Sequence, residues 1–237
     1  MAQQEKQAER IQTSILNGIE RKILVWLAKR MPRKVTSDML SFVGFLGSLV
    51  ICAGYLLSNI NIQWLWLASF GLVINWYGDS LDGTLARVRN QQRPKYGYFL
   101  DHQLDCINEG MMFVGAGLSM LMNMWVALLI FIAYLIMTVY VTMSAHLKKE
   151  FRLTYAALGP TEFRLIIIII NTFAIGFSSL FSKVLWSFDY FGIMVEMKMM
   201  DFLGLGIFVI LMVMWLVSFM KDLRYYGDME PLKKNEK

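Results

Sequence analysis

Asp79, Asp82, Asp101 and Asp105 stand in the stretches DSLDGTLAR and GYFLDHQLD, set within otherwise strongly apolar sequence. Asp79 and Asp82 are three residues apart, and Asp101 and Asp105 four apart, so on helices each pair projects from one face. Four carboxylates brought together repel one another unless a cation sits between them, and hard oxygen donors suit a divalent ion. A single acid of this kind could be solvated at a helix end, or paired with Arg87 or Arg89. The whole set points to metal chemistry, because ionisable side chains in membrane-grade sequence usually mark a functional site. Gly83 removes a side chain where a ligand could approach backbone, and Ala86 keeps the same face low. Arg87 adds a fixed charge whose forked donors match phosphate oxygens. Metal, space and a guanidinium suit a diphosphate, since phosphoryl transfer is catalysed mainly by positioning and charge neutralisation.

The elements that must position these groups are membrane helices. The chain has 237 residues and is 57% hydrophobic, against roughly 45–50% for a soluble domain. A spanning helix needs about 20 mostly apolar residues. Six stretches qualify, at 39–57, 64–86, 99–121, 125–145, 164–181 and 202–219. The expectation is an all-α integral membrane protein with six transmembrane helices in one bundle, preceded by an amphipathic interfacial helix. Residues 1–37 form the polar start and that helix, 38–220 the six-helix catalytic domain, and 221–237 a cytoplasmic tail.

The formal charge of +5 is not a nucleic-acid signal once the basic residues are sorted by loop. Segments 1–37, 87–98, 146–164 and 220–237 carry 8, 4, 4 and 5 of them, 21 of 23 in all, leaving only Lys183 and Lys198 for the other side. The positive-inside rule then predicts both termini in the cytoplasm, with attraction to anionic lipid. The second span descends to its acids and the third ascends from its own, so both pairs lie at similar depth near the cytoplasmic face.

Local signals fill in the rest. Ile11, Ile15, Ile19, Ile23 and Leu27 repeat every four residues over Arg10 to Arg30, as in a helix lying in the interface or packed on the end of the bundle. Pro32 ends it, and Thr36, Ser37 and Asp38 are N-cap types before the first span. Gly44 and Gly47 allow close helix approach. Helix should stop near Pro94 and restart after Gly97, and Thr161 can cap the fifth span. Residues 188–200 form an outer loop. Cys52 and Cys106 show neither disulfide nor zinc-site spacing.

The run Asp79, Asp82, Gly83, Ala86, Arg87, Gly97, Asp101, Asp105 resembles the signature D-x2-D-G-x2-A-R-x8or9-G-x3-D-x3-D of the CDP-alcohol phosphotransferase family, with the nine-residue gap. It matches at every specified position, over 27 residues. The resemblance implies an enzyme of phospholipid biosynthesis that moves a substituted phosphate from a CDP-linked alcohol to a hydroxyl-bearing acceptor and releases CMP. It implies a two-metal site of magnesium or manganese on Asp79, Asp82, Asp101 and Asp105, with Asp105 also the general base. It implies contacts to the CDP moiety from Gly83, Ala86, Arg87 and Gly97, and leaves a homodimer open. One departure is that Arg93, Pro94, Lys95 and Tyr96 stand where members often have a Ser or Thr. That puts a hydroxyl contact to the nucleotide in doubt; Arg93 or Lys95 could reach phosphate, or simply belong to a basic cytoplasmic loop.

CDP-diacylglycerol with a small hydroxylated acceptor is the first expectation. His102, beside Asp101, resembles the Asp-His pair of choline and ethanolamine phosphotransferases, and keeps a soluble CDP-alcohol with a diacylglycerol-like acceptor as the alternative. His102 could orient a metal ligand or point away from the acid face. Asn108 and Glu109 continue the Asp105 face one turn deeper. Lys148, Lys149, Arg152 and Arg164 would suit an anionic acceptor, or be cytoplasmic charge that snorkels. A metal-ion transporter is the competing class, but such proteins place their sites near the midplane on broken helices with internal repeats, and this chain shows none. A scaffold without chemistry fits poorly, since the signature is complete.

Overall fold

A computed structural model describes residues 9–11, 16–148, 150–152 and 159–231. Strand β1 (Glu9–Ile11) precedes helices α1 (Asn17–Arg30), α2 (Ser37–Leu57), α3 (Leu65–Val88), α4 (Pro94–Leu118) and α5 (Met124–Lys148). Strand β2 (Glu150–Arg152), helices α6 (Pro160–Gly176) and α7 (Ser178–Ser182), strands β3 (Trp186–Tyr190) and β4 (Ile193–Met197), and helix α8 (Met199–Met229) complete the order. Six helices of 17 residues or more therefore follow α1 and overlap the six expected stretches. Ser37–Leu57, Met124–Ser144 and Met199–Met229 are long and apolar enough to cross a membrane by length and composition. Helices α3 and α4 interrupt their apolar runs with the site's polar residues, and α6 is short at 17 residues.

Helices α2 and α3 pack backbone to backbone because small residues face one another. A Cβ on Gly47 would lie 2.8 Å from Asn75 Cα, and one on Gly71 would lie 2.7 Å from Ile51 N. Gly78 rests directly on the Gly44 backbone. Asn75, 1% exposed, donates through Nδ2 to Gly44 O and to Ser48 Oγ, both at 3.0 Å. Helix α6 joins this pair where Asn171 accepts from Tyr55 OH and donates to Ser69 Oγ, each at 3.2 Å. An apolar core of Ile51, Leu65, Leu72 and Phe181 surrounds these bonds.

Helix α1 packs on the acid-bearing end of the bundle. Leu24 and Ala28 bury against Leu40, Leu81 and Leu85, and Glu20 accepts from Trp76 Nε1 at 2.8 Å and Thr161 Oγ1 at 2.6 Å. The buried stripe is thus Glu20, Leu24 and Ala28, while Ile19 and Ile23 of the expected isoleucine stripe stay exposed. The i,i+4 pattern found the helix but rotated its packed face by one position. Ile11 and Ile15 have no described side chain, and the tail beyond 231 lies outside the described residues.

Three further expectations are corrected. The all-α class gains two small sheets: β1 pairs in parallel with β2, and β3 with β4 as a hairpin. The hairpin arises because Trp186, Phe188 and Tyr190 alternate with Ser187 and Asp189, a period of two. Phe191 and Gly192 turn it with positive φ, and Gly192 N donates to Asp189 Oδ1 at 2.7 Å. Helix α4 starts at Pro94 rather than after Gly97, since proline at the first helical position is preorganised for it. At α6 the N-cap is Gly159, not Thr161, because Glu162 reaches back to accept from Gly159 N at 2.9 Å.

Candidate active site

The site forms where α3 ends and α4 begins. Asn90, with φ of 54°, reverses the chain between them, and Gln91 N donates to Ala86 O at 2.9 Å. Arg89 anchors this turn to the loop after α1, donating to Val35 O at 2.5 Å, Pro32 O at 2.8 Å and Met31 O at 3.0 Å. Arg93 forms an ion pair with Asp38 and lies 4.0 Å over the Tyr96 ring, which ties the start of α4 to α2. With both ends fixed, Asp79 meets Asp101 and Asp105. One carboxylate oxygen from each lies within 4.8 Å of the others, a group that could hold a metal ion.

Asp82 is set apart from this trio. Its Oδ2 accepts from Ser41 Oγ at 2.5 Å and its Oδ1 from Gly83 N, while Ser37 Oγ donates to its carbonyl at 2.8 Å. Ser37, Ser41, Gly44 and Ser48 share one small-residue face of α2. The sequence offered Ser37 only as a capping residue, and that spacing of small residues was the signal for the wider role. Thr36 is the cap itself, accepting from Met39 N at 3.2 Å.

Arg164 supplies the charge that sequence reasoning did not place. Its Nη2 donates to Asp79 Oδ2 at 2.6 Å and its Nε to Asn75 Oδ1 at 2.9 Å, with 13% of the side chain exposed. The pair joins α6 to α3 and neutralises one acid of the trio. Arg164 is therefore built into the acid cluster. Lys149 lies outside the described residues, as do the side chains of Lys148 and Arg152.

Room for a ligand exists on the same end. A Cβ on Gly83 would meet only the Arg87 guanidinium, at 3.5 Å, and one on Gly97 would meet nothing within 4 Å. Ala86 lies between them on α3, and Arg87 Nη2 donates to Thr84 Oγ1 at 2.9 Å. His102 Nδ1 lies 3.0 Å from Tyr98 O and 3.9 Å from Asp101 Oδ2, and its ring packs on Tyr98 at 4.0 Å. Behind Asp105, a cavity bounded by α2, α3, α4, α5, α6 and α8 is lined at its near end by Asn75, Asn108, Glu109, Tyr134 and Arg164. Nothing in the sequence announced it.

Acids that can share a divalent cation, a balancing guanidinium and two glycines open to a ligand make an arrangement suited to a charged phosphate ester. A family model described as CDP-alcohol phosphatidyltransferase matches residues 34–219. No curated protein matches the chain.

Proposed function

The chain belongs to the CDP-alcohol phosphatidyltransferase family, and from that premise we propose that its acid cluster is where a substituted phosphate passes from a CDP-linked alcohol to an acceptor hydroxyl. Members of the family are phosphotransferases of phospholipid biosynthesis and act in membranes. The observation that carries the proposal is the convergence of Asp79, Asp101 and Asp105 beside the open positions of Gly83 and Gly97.

Asp79, Asp82, Asp101 and Asp105 would hold the divalent metal, magnesium or manganese. One oxygen from each of Asp79, Asp101 and Asp105 lies within 4.8 Å of the others, and such hard donors suit an ion of this kind. When bound, a metal pair supplies charge neutralisation to the attacking and leaving oxygens. Gly83, Ala86 and Gly97 leave space for the CDP moiety, and Arg87 offers its fork to phosphate. Arg164 fixes the Asp79 carboxylate. Asp105 takes the proton of the acceptor hydroxyl as that oxygen bonds to the β-phosphorus. The bond from this phosphorus to the bridging oxygen breaks, and CMP leaves with that oxygen.

Two donor readings are carried, CDP-diacylglycerol with a small hydroxylated acceptor and a soluble CDP-linked alcohol with a diacylglycerol-like acceptor; the apolar cavity behind Asp105 favours the second. The six long helices are proposed as six spans, with the acids and both termini on the cytoplasmic side, as the loop charges support. The test supplies radiolabelled CDP-diacylglycerol or CDP-choline with a panel of acceptors and magnesium or manganese, and scores CMP release and lipid product. Metal flux into liposomes that is unaffected by Arg87→Ala, without CMP release, would replace the enzyme with a transporter.

A further inference from the structure

The cavity behind Asp105 has two unlike ends. Its near end holds Asp105 and two polar side chains that each leave one oxygen without a hydrogen-bond partner among the described residues, Asn108 Oδ1 and Glu109 Oε2, although the Glu109 carboxyl also bonds Tyr134. Asn108 is 5% exposed, so its oxygen is cut off from bulk water. Buried polar atoms are nearly always satisfied, and an orphan in a native interior asks for a ligand or an ordered water. Two orphans on adjacent residues face a chamber that also reaches the acid proposed as base.

Beyond them the walls turn apolar. Met112 and Ala116 of α4, Ile130 of α5, Ile167 of α6, and Leu203 and Ile207 of α8 carry the cavity away from the acids. From Asp105 to Ala116 the helix rises about 16 Å, more than half of a hydrocarbon core of about 30 Å. Water finds no partners along such walls, and a small polyol would fill only the polar end. A molecule with a hydroxyl at one end and a hydrocarbon chain behind it matches both.

We propose that this cavity is the acceptor's site and that it takes a hydrocarbon chain, so the acceptor is a lipid hydroxyl, not a water-soluble polyol. The hydroxyl donates its one proton to Asp105, and ordered water drawn in at this polar end supplies the donors that Asn108 Oδ1 and Glu109 Oε2 lack. This rests on the phosphotransferase reading and names the acceptor class within it.

Two measurements on the full-length protein in phosphatidylcholine vesicles test it. In the first, diacylglycerol carrying a mid-chain diazirine is photolysed with the unaltered protein and the labelled residues are mapped. Labelling at Met112, Ala116 or Ile167, suppressed by excess unlabelled diacylglycerol, is expected. Labelling confined to outward residues of α8 such as Val213 would overturn the site. In the second, transfer from CDP-choline and from CDP-diacylglycerol is measured to dihexanoyl and dihexadecanoyl glycerol and to glycerol 3-phosphate. Ala116→Phe is expected to raise KM at least ten-fold for the long-chain acceptor and less than three-fold for the short one. Equal effects on both chains, or transfer to glycerol 3-phosphate alone, would overturn the lipid acceptor. Cavity labelling without CMP release from either donor would instead defeat the phosphotransferase reading and leave the chain-binding site standing.

Discussion

The α2–α3 contact and the chamber that α4, α5, α6 and α8 close against one side of that pair are opposite solutions to packing helices around one site. In the first, glycines bring backbones so close that a Cβ on Gly47 would lie 2.8 Å from Asn75 Cα. In the second, side chains of four helices stand back from one another, and α8 has only 6% of its apolar window buried inside the protein. Asp79 and Asp82 ride on the closed contact, while Asp105 sits where the open chamber begins. The proposed reaction, which would hold metal ligands still and admit a lipidic substrate, gives a reason to build the two walls differently.

The largest expected effect breaks the closed wall. Gly78→Leu drives a side chain into the Gly44 backbone, and overpacking typically costs 1–3 kcal/mol even where side chains can give way. Backbone cannot, so loss of the folded protein is expected on size-exclusion chromatography in detergent. Arg164→Ala comes next. It leaves the partly buried Asp79 without its guanidinium, and breaking such a pair costs about 3 kcal/mol. A large fall in melting temperature is expected, and manganese should restore more of it than in the unaltered protein, because Asp79 then lacks the guanidinium that balances it. No extra rescue would mean that the acids do not share a metal.

On the open wall the same kind of change should cost little stability. Asn108→Leu removes an unpartnered buried oxygen, so melting should move by no more than the equivalent of about 1 kcal/mol, while the acceptor KM rises. A loss as large as that of Arg164→Ala would show that the chamber is ordinary core. The smallest effect belongs to Gly206 of α8, where a Cβ would meet nothing within 4 Å. Gly206→Ala should gain roughly 0.5–1 kcal/mol through helix propensity, measured as a small rise in melting temperature.

This contrast also separates what the sequence could tell from what it could not. The clustering of Asp79, Asp101 and Asp105 was legible because acids at helical spacing on two consecutive helices fall on facing sides. Gly44 and Gly47 were legible because small residues on one face have few other uses. Arg164 was not placed, since its partner Asp79 lies 85 residues away and no local pattern links them. Thr161 was expected to cap α6, but tertiary contacts took it: its hydroxyl donates to Glu20, and Glu162 caps instead while also accepting from Leu16 N at 2.9 Å. The chamber was invisible for a related reason. Apolar side chains that line a void and apolar side chains that fill a core have the same sequence pattern.

The central claim is that Asp105 removes the acceptor's proton at a metal-bearing phosphotransfer site. The most direct measurement is CMP-dependent exchange into a CDP-linked donor by the unaltered protein and by Asp105→Asn, each confirmed folded by its melting curve. The account predicts exchange that requires magnesium or manganese in the unaltered protein, and a fall of at least about 100-fold in the variant. Exchange that survives in folded Asp105→Asn would contradict it.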